Sequence, residues 1–116
     1  NLGHSIGLHS HTHPVSLSEL SYDKQLYEYE ENLKIISSLL SIDRKKIKCM
    51  SHPSGSYNDN TIKILKNLGI EIGFSNVMGK SQFNFSKTNI AKKSINNSDL
   101  EICRQDCSKI FRMIKN

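Results

Sequence analysis

The stretch from Tyr22 to Leu40 constrains the fold more than any other part of the chain. Tyr22, Leu26, Tyr29, Leu33, Ile36 and Leu40 recur at spacings of four, three, four, three and four residues. That period puts them on one stripe of an α-helix and predicts that the stripe packs on a core. Glu28, Glu30, Glu31 and Lys34 fall on other faces. Ser21 is placed to cap the N-terminus, and Asp23 sets a negative charge in the first turn. A helix with one long apolar stripe needs a second layer to cover it.

Short apolar runs supply that layer. Residues 5–10 (SIGLHS), 47–51 (IKCMS), 70–74 (IEIGF) and 100–104 (LEICR) read as strands. A second helix starts at Asn58 or Asn60, carries Ile62, Leu65 and Leu68, and stops at Gly69. A last helix starts at Asp106 or Ser108 and buries Ile110, Phe111 and Ile114. The segment 75–89 reads as a loop. This alternation predicts an α/β fold of parallel βα units. In such sheets, sites gather at the loops after the carboxyl ends of the strands. Three clusters fall there: HSHTHP after the first strand, HPSG after the second and RQDC after the fourth.

Composition limits the partners. With 116 residues, 36% of them hydrophobic and 7% aromatic, the chain makes one domain at most, with a lean core. The net charge is +5, but only Asp43 to Lys48 (DRKKIK) is densely basic. That run lacks interleaved aromatics and reads as a solvated loop, so no nucleic-acid partner is expected. Cys49, Cys103 and Cys107 are odd in number and lack framework spacing, which points to a reducing compartment. No apolar run is long enough for a membrane span, and the first residues lack a basic-then-apolar leader. A cytoplasmic location is the expectation.

Three of the five histidines, His9, His11 and His13, lie within five positions. His9 and His13 are four apart, a spacing that brings two imidazoles to one side, where they can share a metal. Pro14 disfavours a regular helix through His13 and predicts a tight turn. His11 has the wrong offset and is expected to point away. The spacing alone is equally compatible with a polar, His-rich surface loop.

The stretch GHSIGLHSHTHP resembles the second motif of the polysaccharide deacetylase family, the NodB-homology domain. That resemblance makes His9 and His13 the metal ligands, Ser10 the hydroxyl residue between them and Pro14 the closing residue; Ser5 stands where the family often has Glu. SHPSGSYNDNTIKILKNLGIEIGF is similar to the family's Pro-x-Gly turn and following helix, with Pro53, Gly55, Tyr57, Asn58 and Leu68-Gly69-Ile70 in place. Many members have Arg where Ser51 stands and an aromatic where Ser54 stands. LEICRQDC resembles a late strand of the family, with Arg104 and Asp106 matching and Cys103 and Cys107 replacing Pro and His.

The resemblance implies a distorted (β/α) barrel, of which residues 1–116 form about the later half. The family's first motif, a pair of aspartates serving as general base and third metal ligand, has no counterpart here and is expected upstream of Asn1. It also implies a divalent metal, usually zinc, and an acetylated amino-sugar substrate. A backbone N–H near Ser54 would hold the oxyanion, and Gly55 would let the backbone approach the substrate. Two roles are open to His52: contact with substrate, or support of its own turn. Arg104 is either a support for the catalytic aspartate or a strand-end surface residue, and Asp106 reads better as a helix cap than as a catalyst. The expected function is metal-dependent removal of N-acetyl groups, incomplete in this chain. The alternatives are an inactive relative that binds metal or carbohydrate, and an unrelated basic binding protein with a His-rich tip.

Overall fold

The computed structural model describes residues 3–76 and 99–103. Helix α1 runs Tyr22–Leu40, strand β1 Cys49–Ser51, helix α2 Asp59–Asn67, strand β2 Ile72–Ser75 and strand β3 Ile102–Cys103. The strands pair in the order β1-β2-β3, and both pairings are parallel. Single 3₁₀ turns lie at Leu17–Glu19, Arg44–Lys46, Pro53–Gly55 and Asp99–Glu101. The expected parallel α/β arrangement is therefore present. The arginine, aspartate and cysteine expected at 104, 106 and 107, and the last helix, lie outside the described residues.

The strands are shorter than their apolar runs suggest. Residues 5–10 contribute a single bridge, Leu8 to Met50, made by the Leu8 N–H donating to Cys49 O and the Ser51 N–H donating to Leu8 O. Residues 99–101 form a 3₁₀ turn, so the last strand begins at Ile102 instead of Leu100. The core gathers between the helices and one sheet face: Leu8, Leu17, Tyr29, Leu33, Ile47, Met50, Ile64, Leu65, Ile70 and Leu100. Gly73 faces this layer so closely that a Cβ there would run into the backbone of Leu100. Ile72 and Phe74, on the opposite face of β2, are exposed.

The helix caps follow the sequence. Ser21 accepts the N–H of Lys24. Asn58 caps α2 in a full capping box with Thr61, which decides between Asn58 and Asn60. Gly69, at φ +79°, closes α2 through the Ile70 N–H donating to Leu65 O. The stripe of α1 is corrected at its ends and edge. Tyr22 and Leu40 are exposed, whereas Gln25 and Glu28 are buried beside Tyr29 and Leu33. On α2, Thr61 and Ile64 are buried with Leu65, while Ile62 and Leu68 pack at the rim.

Buried polar groups join the two helices. The Thr61 hydroxyl donates to Gln25 Oε1 at 2.6 Å and accepts from the Asn58 N–H at 3.0 Å. Gln25 Nε2 donates to Leu20 O at 2.9 Å, and Asn58 Nδ2 donates to Ser18 O at 2.7 Å. Thr61→Val keeps the shape but strands the Gln25 carbonyl and the Asn58 N–H. It should cost about 1–3 kcal/mol, read as a lower urea midpoint with an unchanged slope.

Candidate metal and catalytic site

The histidine cluster sits where the chain leaves the sheet after Leu8. His9 and His13 come together with ring centroids 4.9 Å apart and planes tilted by 59°. A tight turn, not a helical one, makes the pair. Ser10 (φ 64°) and His13 (φ 56°) are both left-handed, and the His13 N–H donates to Ser10 Oγ at 3.2 Å. Non-glycine residues in that region cost on the order of 1–3 kcal/mol each and persist only where their surroundings hold them. His11 points away, its ring edge-on to Tyr27 at 6.1 Å.

Helix α1 supplies the support. Glu28 Oε2 accepts the N–H groups of His11 (2.9 Å) and Thr12 (2.8 Å), and Glu28 Oε1 accepts the Thr12 hydroxyl at 2.6 Å. One turn on, Asn32 Oδ1 accepts the His9 N–H at 3.0 Å. Burial alone would push the Glu28 carboxyl up; the Thr12 and His11 hydrogen bonds and the His11 charge outweigh it and hold the group below the usual carboxylate range. Sequence reading placed Glu28 on an outer face. The available signal was polar: Gln25, Glu28 and Asn32 fall three and four apart along the edge of the apolar stripe.

His9 Nδ1 lies 2.8 Å from Ser51 O. A carbonyl only accepts, so Nδ1 carries the proton and the neutral ring keeps its lone pair on Nε2. The same contact puts the Pro53–Gly55 turn at the histidine end of the sheet. Ser54 is left-handed (φ 51°), as is Gly55 (φ +68°). The turn's own bonds use the Gly55 N–H, to His52 O, and the Ser56 N–H, to Pro53 O, and leave the Ser54 N–H outside them. On the side where a Cβ of Gly55 would point, the Asn76 side chain fills the space, donating to Ser54 O at 3.1 Å.

Of the two roles open to His52, its placement favours support of its own turn. It is 3% exposed, stacked on Tyr57 with centroids 4.2 Å apart, and its Nε2 donates to Leu100 O at 2.8 Å. Its N–H donates to Phe74 O, so the residue ties β1 to its neighbours instead of facing solvent. Among the described residues Nδ1 is buried without a partner. Among the described residues no third histidine, cysteine or carboxylate joins His9 and His13. No helix among them is long and apolar enough to cross a membrane.

Burial pushes the His52 imidazole below its ordinary value, against the opposing pull of the Leu100 hydrogen bond and the Glu101 charge. The unfolded chain therefore takes up a proton near pH 6.5 that the native His52 refuses. Stability from this group is complete above that pH and is lost as pH falls below it, by at most about 1.4 kcal/mol per pH unit. Urea midpoints at pH 7.5 and 5.5 should show the loss, and His52→Gln should flatten it.

Comparison with known proteins points to one family. The polysaccharide deacetylase family model matches residues 1–73. Among solved structures, the chain is similar to the Streptococcus pyogenes deacetylase PplD in complex with acetate, at 28% identity and a TM-score of 0.55. The match covers 61% of this chain and 30% of that one, so the chain spans less than a third of its solved relative. No curated protein matches the sequence. With more than half of its length matched by the family model, and with the HSHTHP and HPSG loops at one end of a parallel sheet, this chain belongs to the polysaccharide deacetylase family.

Proposed function

We propose that the chain is part of a metal-dependent hydrolase that removes N-acetyl groups from an acetylated amino sugar or polysaccharide, with residues 1–116 forming part of a distorted (β/α) barrel domain. The observation that carries the proposal is the pairing of His9 and His13, 4.9 Å apart, beside the Pro53–Gly55 turn. The donor set suits zinc or a similar divalent ion: two imidazoles close together, one with its tautomer set by Ser51 O. A divalent ion bound there supplies an acidified water and polarises the acetamide carbonyl.

The chain's own groups then divide the work. His9, through Nε2, and His13 hold the ion. The Ser54 N–H, left outside the turn's own bonds, is the donor for the developing oxyanion. Gly55 allows the left-handed turn that presents it. His52 braces the turn from below. Arg104 is assigned to orienting the carboxylate base. The reading calls for a third ligand and that base from outside the described residues, since a catalytic zinc takes three protein ligands. Acetate, which the PplD structure contains, is the product such a reaction releases.

The test is zinc binding together with acetate release from acetylated amino-sugar oligomers. His9→Ala and His13→Ala should each weaken zinc binding by at least about 100-fold and abolish acetate release. His11→Ala should keep most of both. Equal losses at His11 and His9 would overturn the ligand assignment.

A further inference from the structure

Glu28 has a role that the chemistry above does not assign. It lies on α1, more than a dozen positions from the histidines, yet its carboxylate receives three donors from the two residues between Ser10 and His13: the His11 N–H, the Thr12 N–H and the Thr12 hydroxyl. Asn32, one turn further along the same helix edge, receives the His9 N–H. The loop so held contains two left-handed non-glycine residues, Ser10 and His13, and His13 is itself one of the paired rings. Nothing within residues 9–13 except the Ser10 hydroxyl holds that shape.

We infer that Glu28 is the positioning residue for the His9–His13 pair: its carboxylate, with Asn32 beside it, sets the loop conformation that brings the two rings within reach of one ion. The inference rests on the metal-site reading above only for its consequence in zinc affinity; the ring placement stands on the hydrogen bonds. The geometry also forecasts which substitution is tolerated. A glutamine can turn its carbonyl oxygen to the two backbone N–H groups and offer its NH₂ to the Thr12 hydroxyl oxygen, so Glu28→Gln preserves all three contacts without the charge. Glu28→Ala preserves none.

The experiment compares the intact protein with Glu28→Gln, Glu28→Ala and Thr12→Val, using zinc alone as the probe. Two readouts are taken: zinc affinity by competition with a chromophoric chelator, and the His9 and His13 imidazole NMR resonances without metal. Thr61→Val, which loosens the helix pair away from the loop, is the control for general destabilisation. Glu28→Ala should shift both ring resonances and weaken zinc about 10- to 100-fold. Glu28→Gln should stay within a few-fold of the parent, and Thr61→Val should lower stability while leaving affinity alone. Thr12→Val, which removes one bond and keeps the helix intact, should show a smaller loss of the same kind and decides the matter if Glu28→Ala does not fold. Unshifted rings in Glu28→Ala, or in Thr12→Val in that case, would overturn the inference, as would a Glu28→Gln loss equal to that of Glu28→Ala. A parent protein that binds no zinc would instead overturn the metal-site reading, with the ring resonances still deciding the role of Glu28.

Discussion

Between His9 and His13 the backbone turns through two left-handed residues, a shape that peptide geometry disfavours and that contacts from outside the turn chiefly maintain. Three of those contacts come from one buried carboxylate on α1, that of Glu28. A charged acceptor in a partly dry setting forms stronger bonds than a neutral one, about 1.5–3 kcal/mol each against about 1. Three such bonds are of the right size to offset the cost of two left-handed residues. The histidine loop is therefore an extension of the helix surface, and the long helix is part of the site as well as a cover for the sheet.

The same logic recurs along the helix. Gln25, Glu28 and Asn32 form a polar edge beside the apolar stripe: Gln25 reaches the start of α2, and Glu28 and Asn32 both reach the histidine loop. Gln25 meets the capping box of α2 through Thr61. Asn58, in that box, reaches back to Ser18 behind the histidine motif. On the sheet side His9 holds Ser51 O, and His52 holds Leu100 O. The loops at the carboxyl end are thus cross-braced, which suits the proposed site with its two rings and backbone N–H in fixed relation.

Local signals were legible wherever the physics is local. Ser21, Asn58 and Gly69 cap the helices as their residue types dictate, because capping involves groups within five positions. Pro14 pointed to a tight turn, and the four-residue spacing of His9 and His13 allowed the pair that the structure forms, alongside a plain surface loop. Strand lengths were less legible: hydrogen bonding to neighbours ends a strand, and the run at residues 5–10 meets only Met50.

What the sequence by itself determined is the order of helices and parallel strands and the caps; it offered His9 and His13 as a pair without deciding against a surface loop. The tertiary structure alone decided that Glu28 is buried under the histidine loop, that His52 faces Leu100 instead of solvent, and that Asn76 covers Gly55. Each of these contacts joins residues 16 or more positions apart. A side chain's partner at that distance depends on how elements cross, and the period of a single helix carries no information about which loop will lie over its edge.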